Sequence, residues 1–511
     1  MSYVKKRHSV DPARAAALDV LQAVSTQDAY ANIELPKLLR QRRLRPLDAA
    51  FATELTYGTL RMQGKYDALI ARSATRPLDQ LDPLVANLLR LGAHQLLTLQ
   101  IAPYAAVSET VALARTVTSD GPARMVNAVL RRLAEKTPEQ WDEELAQQPD
   151  ETARRAASTS HPEWIVRALT QALTANGRAA ADIDEVLAAN NAAPQLALVA
   201  RPGLSEPAEL AAEAAASGEA AATSGRVSPY AVLVERGDPG ALAAVRSGAA
   251  AAQDEGSQLV AALLAAAPLN GPDANWLDLC AGPGGKTGLL AALAAARGAH
   301  VLANEVTEHR AELVRQTTAL LDNVTVRDGD GRAVPAEFAA HFDRTLVDVP
   351  CSGLGSLRRR PEARWRRQPR DLATLAPLQR ELLAAAIAAT RPGGLVAYAT
   401  CSPHIAETHV VINDALAGGQ VELVDASAVA RTVVSWIEPL ACGTARGQLA
   451  GSGRATRAEQ EENGESSARQ GNTIPPQVVH DFGAGPFVQL WPDLHGTDAM
   501  FVALLQVKEE V

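Results

Sequence analysis

Four short stretches in the second half of the chain hold residue types that do chemistry. Leu277 to Thr287 reads "LDLCAGPGGKT", a glycine-rich turn between an apolar run and a helical one. Glu305 closes the run "HVLANE", and Asp330 lies in "RDGDGR". Asp348 and Cys351 share "LVDVPCSG", and Cys401 stands in "YATCSP". A cysteine thiolate adds readily and later departs, so two cysteines just past strand ends suit a transient covalent step.

The glycine turn ends in Gly285-Lys286-Thr287, as a nucleotide phosphate loop does. That loop requires G-x-x-x-x-G-K-[ST], and its first glycine position is Cys280 here. Pro283 also removes a backbone donor from a cradle built of such donors. The dinucleotide pattern G-x-G-x-x-G starts at Gly282 and Gly284 but meets Thr287 at its third glycine. A nucleoside without phosphates fits better. The backbone of Cys280, Ala281, Gly282, Pro283, Gly284 and Gly285 then lies against it. Glu305, Asp330 and Asp348 supply carboxylates at successive strand ends, where they accept from ribose hydroxyls or meet an amino group. Such acids repel a pyrophosphate. Together they point to S-adenosylmethionine as cofactor.

The elements that must position these residues begin at Gln253. From there strand and helix patterns alternate: "NWLDLC", "KTGLLAALAAA", "HVLANE", "EHRAELVRQTTALL", "VTVRDGD", "FDRTLVDVP", "LAPLQRELLAAAIAAT" and "GLVAYATCS". This βαβα order predicts an α/β fold with a mostly parallel, doubly wound sheet, a Rossmann-like arrangement with ligands at the carboxyl edge. "PFVQLWPDLHGTDAMFVALLQV" reads as a hairpin, and residues 443–472 as a disordered insert.

Upstream the reading differs. Residues 8–140 carry apolar positions at i, i+3, i+4 throughout and predict an all-α domain. A helical connector spans 141–181. A small α/β extension over 182–252 holds the strand candidates "QLALVARP" and "YAVLVERG" around an Ala/Gly/Ser/Glu-rich insert, 205–228, to which no structure is assigned.

The net charge of −9 excludes a chain that grips nucleic acid with its whole surface, but the charge is uneven. Residues 1–140 hold 19 Lys/Arg against 13 Asp/Glu, a net of +6, which leaves −15 for the rest. Arg40, Arg42 and Arg43 lie in "LPKLLRQRRLRPLD", and Arg358, Arg359, Arg360, Arg364, Arg366 and Arg367 surround Trp365 in "LRRRPEARWRR". Arginine interleaved with an aromatic suits phosphate contact and base stacking. The plainer alternative for both stretches is a solvated basic face. The four cysteines form no C-x-x-C pair, so neither a metal site nor a disulfide framework is expected. No apolar run of spanning length and no secretory h-region is read, which leads to a cytoplasmic, reducing setting and no membrane partner.

"DVPCSG" and "YATCSP" together resemble the paired Pro-Cys and Thr-Cys-Ser motifs of RNA cytosine carbon-5 methyltransferases. "LDLCAGPGGKT" resembles their cofactor motif, and "QDEGSQLV" (253–260) their lead-in to the catalytic domain. The helical N-terminus resembles the NusB-like RNA-binding domain of the RsmB/Sun branch, which methylates 16S ribosomal RNA. The resemblance implies a class I methyltransferase domain over 253–508, S-adenosylmethionine as cofactor, RNA as partner, and a monomer. It also implies that Cys401 is the nucleophile on cytosine carbon 6 and that Cys351 assists proton removal and enzyme release. Lys286 is then expected beside the acid and the base, with Asp348 near either the base or the methionine amino group. A transfer RNA substrate, or a non-catalytic RNA-binding assembly factor, are the alternatives.

Overall fold

Prolines set where several helices of the N-terminal part begin. Pro12–Thr26, Pro46–Arg61, Pro83–Leu97 and Pro103–Val117 each carry proline in the first turn, where its missing N–H has no intrahelical partner to lose. Asp11 and Asp82 cap two of them by accepting from Arg14 N and Leu84 N. Their apolar faces meet in one core around Leu21, Leu55, Leu69, Leu88 and Leu130. This is a computed structural model, and it describes residues 10–216, 222–235, 237–438, 440, 480–483 and 485–509. Cys442 and the stretch 443–472 lie outside the described residues.

The extension is a four-stranded antiparallel sheet. It comprises β1 (Leu196–Ala200), β2 (Ala222–Ser224), β3 (Ala231–Val234) and β4 (Ala250–Ala252), in the order β2-β3-β1-β4. The stretch 205–228, left unassigned on composition, contributes the helix Pro207–Ala216 and β2. Leu210, Ala211 and Ala214 of that helix bury against Leu198 and Val232. An alanine-rich face is ordered by a partner core that composition does not reveal.

The catalytic half holds the eight-stranded sheet. Its strands are β5 (Asn275–Asp278), β6 (His300–Glu305), β7 (Val324–Asp328), β8 (Phe342–Asp348), β9 (Thr390–Thr400), β10 (Val421–Val424), β11 (Val488–Gln489) and β12 (Phe501–Val507). The order is β10-β12-β9-β8-β5-β6-β7, with β5 to β9 parallel and β12 antiparallel to β9. β11 pairs with β12, the expected hairpin. From β5 the chain winds outward through β6 and β7, then returns to β8 on the other side. The reversal opens a crevice at the carboxyl ends of β5 and β8, where doubly wound sheets take ligands.

One stretch among the described residues, Pro369–Ala389, is long and apolar enough to cross a membrane, which the reading of the sequence did not anticipate. Its helix Leu372–Ala389 links β8 to β9, and Leu382, Leu383, Ala386 and Ala389 are buried in the sheet core. Its apolar composition thus matches its place against the sheet.

Candidate active site

The glycine loop leaves β5 between two neighbouring strands. Leu279 N donates to Leu346 O (2.9 Å) and Ala281 N to Asn304 O (2.9 Å). Thr287, the residue that mimics a phosphate loop, is buried, and its hydroxyl donates to Asp278 Oδ2 (2.7 Å). The hydroxyl is therefore committed inside the protein. Gly282 N donates to Glu305 Oε2 (3.0 Å), and a Cβ at Gly282 would collide with that carboxylate. Thr307 N binds the other oxygen at 3.0 Å, and Arg310 pairs with it at 3.5 Å. Gly284 has φ +106°, open to glycine at little cost.

The three strand-end acids separate on this geometry. Glu305 and Asp348 touch the glycine stretch, the first through Gly282 and the second through Lys286. Asp330 lies two residues past the end of β7, caps the turn Gly331–Ala333 and pairs with Arg332. Asn304, not singled out by sequence reasoning, binds both loops: its amide donates to Leu279 O (3.1 Å) and Gly329 O (3.0 Å). Asp278 was also missed. It is buried, its Oδ1 has no hydrogen-bond partner among the described residues, and burial pushes its carboxyl up to about 7 against the Thr287 bond. An acid inside the apolar run "LDLC" was the available signal.

The cysteines meet because β8 and β9 are neighbours, with Asp348 opposite Ala399. Cys351 Sγ and Cys401 Sγ lie 3.3 Å apart, both as free thiols. The hydrogen bond from Cys351 lowers the Cys401 thiol below its ordinary value; burial opposes this and Lys286 assists it. The same bond raises Cys351, as do burial and the nearby Glu407. Lys286 Nζ sits 2.8 Å from Asp348 Oδ2, and although burial lowers the ammonium, Asp348 raises it by more. Cys401 is therefore the more acidic member of the pair, through its hydrogen bond with Cys351 first and the Lys286 charge second.

Asp254 explains the "QDEGSQLV" stretch. It caps the helix Glu255–Ala266 through Gly256 N (3.0 Å) and accepts from Thr497 Oγ1 (2.8 Å). Asp498, next along, holds the Arg359 guanidinium. Gly355 N donates to Cys401 O (2.9 Å), and Ala499 N to Gly355 O (2.9 Å). The lead-in thus fixes the segment that supports the cysteine loop.

The arginine stretch departs from expectation. Arg364, expected to face RNA, is fully buried. Its guanidinium donates to Arg61 O (2.9 Å), Ser160 O (3.1 Å), Asn190 O (2.8 Å) and Asn191 Oδ1 (2.7 Å). Arg366 donates to Val24 O (2.9 Å) and Asp28 O (3.0 Å) and lies over the Tyr30 ring. Trp365 packs so closely on Gly64 that a Cβ there would collide with its ring. Arg358 donates to Gly496 O (2.8 Å), and Arg359 pairs with Asp498. Arg364, Trp365 and Arg366 join the helical domain to the sheet domain, while Arg358 and half-exposed Arg359 hold the segment 496–498 within the sheet domain. Arg360 and Arg367 keep some exposure, as do Arg40, Arg42 and Arg43, of which Arg42 pairs with Asp19.

Known proteins agree with this arrangement. The family described as 16S rRNA methyltransferase RsmB/F matches residues 264–437, and the NusB family matches residues 11–135. The putative methyltransferase Rv1407 of Mycobacterium tuberculosis H37Rv is 47% identical over 98% of each chain. Ribosomal RNA small subunit methyltransferase B of Escherichia coli strain 536 is 35% identical over 78% of this chain and 88% of its own. In fold, the chain is similar to the solved structure of PH0851, with a TM-score of 0.73, 19% identity, and coverage of 98% and 99%. A helical NusB domain, a parallel sheet reversing at β5/β8 and relatives of this identity lead to one assignment: the chain belongs to the RsmB/F family of 16S rRNA methyltransferases.

Proposed function

We propose that the protein methylates carbon 5 of a cytosine in 16S ribosomal RNA through a covalent adduct on Cys401. The observation that carries this reading is the pair of free thiols 3.3 Å apart, with the charge of Lys286 favouring the thiolate of Cys401. The residues present fit S-adenosylmethionine. Gly282 lets the loop backbone lie directly against the Glu305 carboxylate, and the buried Oδ1 of Asp278 has no hydrogen-bond partner among the described residues. Glu305 and Asp348 keep unused lone pairs for hydroxyl or amino groups. When bound, the cofactor supplies the electrophilic methyl group on a sulfonium.

Carbon 5 of cytosine is a poor nucleophile. The Cys401 thiolate forms a bond to carbon 6, and the ring's π electrons become available at carbon 5 as an enamine. Lys286 stabilises the thiolate before attack, and Asp348 holds Lys286 in place. After methylation Cys351, once it has passed its own proton to solvent, takes the carbon-5 proton; the C–H electrons re-form the carbon 5–carbon 6 double bond and the carbon 6–sulfur bond breaks to release Cys401 as thiolate. A stacked base presents neither carbon 5 nor carbon 6 to these groups, so the cytosine enters unstacked. Arg360, Arg367, Arg40 and Arg43 are the remaining candidates for phosphate contact.

The test incubates the protein with methyl-labelled S-adenosylmethionine and 16S rRNA lacking modification, then maps the label. Label in 5-methylcytosine is expected with the wild type and none with Cys401→Ala. A wild type that binds both ligands yet leaves no label in 5-methylcytosine overturns the reading. Label in transfer RNA alone moves the substrate and keeps the chemistry.

A further inference from the structure

Behind the two cysteines lies a carboxylate with no role in the chemistry above. Glu407 ends the turn Ile405–Glu407 and is fully buried. Its Oε1 accepts from Ser352 N (2.8 Å) and Gln379 Nε2 (3.1 Å). Its Oε2 accepts from Ser402 Oγ (2.6 Å) and from Ser352 Oγ. Ser352 follows Cys351, Ser402 follows Cys401, and their hydroxyls lie 3.0 Å apart. Tyr398 OH fixes the backbone by donating to Glu407 O (2.7 Å), and Gln379 also donates to Pro350 O (2.9 Å). All four donors to the carboxylate are uncharged, and three of them belong to the residues that follow the two cysteines.

We infer that Glu407 is a positioning residue for methyl transfer: it locks Ser352 to Ser402, and so sets the cysteine separation and which sulfur carries their shared proton. The inference rests on the cysteine chemistry proposed above. Of the charged groups around the thiol pair, two favour the same sulfur from opposite sides. The Lys286 ammonium acts on Cys401 and favours its thiolate; the Glu407 carboxylate acts on Cys351 and disfavours a thiolate there. Asp348 and Asp498 oppose Lys286 at Cys401, where Arg359 also bears; the hydrogen bond between the sulfurs is the largest contribution to the bias, and Glu407 adds to it from the Cys351 side. A neutral clamp of the same shape would hold the loops but give up that addition.

The experiment separates clamp from charge. Glu407→Gln keeps the shape and removes the charge; Ser352→Ala keeps the charge and weakens the clamp. Each full-length variant is alkylated with iodoacetamide across a pH series without RNA, and labelling at Cys401 and Cys351 is read by peptide mass spectrometry. Methyl transfer to unmodified 16S rRNA is measured alongside. In the wild type Cys401 is labelled first. In Glu407→Gln the Cys401:Cys351 labelling ratio is expected to fall about 10-fold, the change one pKa unit produces. kcat is expected to fall about 100-fold, the scale of a misplaced proton-transfer group, with KM for both substrates near the wild-type value. Glu407→Asp is expected to recover part of the ratio. A ratio and a kcat both within about twofold of wild type in Glu407→Gln would overturn the inference. If that variant does not fold, Ser352→Ala decides: an unchanged ratio and kcat overturn it and a lowered kcat supports it. The labelling ratio needs no RNA, so it still tests Glu407 if the wild type makes no 5-methylcytosine.

Discussion

Lys286 Nζ lies 2.8 Å from Asp348 Oδ2, and this ammonium is a cation that lowers the Cys401 thiol. The ion pair thus links the cofactor loop, through the helix Gly285–Ala295, to the cysteine rim at the end of β8. Replacing Lys286 by methionine keeps the apolar stem and removes the charge. The pH at which Cys401 is half-alkylated should rise by about one unit, and methyl transfer at neutral pH should fall about 100-fold. Alkylation kinetics of Cys401 in the Lys286→Met protein check the first figure without any RNA.

On the proposed chemistry Cys401 attacks, and Cys351, 3.3 Å from it, does not. Cys351→Ala should therefore still add to the base and fail to let go. A protein–RNA band resistant to denaturant is expected on a gel with Cys351→Ala and absent with Cys351→Ala/Cys401→Ala. A band that persists in the double variant would remove Cys401 from the nucleophilic role.

Gly282 touches Glu305 so closely that a Cβ displaces the carboxylate. Gly282→Ala should weaken binding of S-adenosylhomocysteine by about 10-fold or more, because the loop and the acid that line the site move together. Titration calorimetry measures this. The melting temperature should shift far less than it does for a core truncation.

Glu255 accepts from Arg226 N (2.6 Å) and Val227 N (3.0 Å) inside the protein, and burial raises its carboxyl to about 7 in spite of those bonds. The folded state therefore keeps a proton that the unfolded chain releases in the ordinary carboxylate range. The resulting contribution to stability is full below that range and is lost as pH rises toward about 7, a change of about 3 kcal/mol for this group. Asp278 acts in the same direction. Glu255→Gln should flatten the fall in melting temperature between about pH 5 and 7, as thermal unfolding across a buffer series will report.

Arg364 donates to three backbone carbonyls and an amide oxygen from three different segments. Arg364→Ala leaves those acceptors without partners and should cost about 3 kcal/mol or more. Limited proteolysis should then cut between the helical and catalytic domains. Arg360→Ala and Arg367→Ala should leave stability within about 0.5 kcal/mol and act, if at all, on RNA binding.

The legible parts of the sequence were those written in local pattern. Strand–helix alternation placed β5 to β9, and the glycine turn with Cys351 and Cys401 marked the crevice before any coordinates. Prolines and caps marked the helices of the N-terminal part. What stayed hidden depends on contacts between distant segments. Glu407 is one acid in an unremarkable turn until Ser352 comes 2.8 Å from it across fifty-five positions. The same holds for the arginines. "LRRRPEARWRR" has the composition of an RNA-binding face, yet Arg364 and Arg366 find acceptors more than 170 residues away. Charge pattern reports a residue's type, and only the packing of the helical domain reveals its direction.

Arg364 has one more consequence. By tying Arg61, Ser160 and Asn190 at a single buried point, it leaves the joint between the two domains no obvious place to bend. The reach from the helical domain's outer surface to the Cys401 sulfur then becomes a fixed length, like the gap of a calliper. On the proposed chemistry, an RNA is accepted when its own folded shape spans that gap with a cytosine at the far tip, and selection among RNAs becomes a matter of measuring.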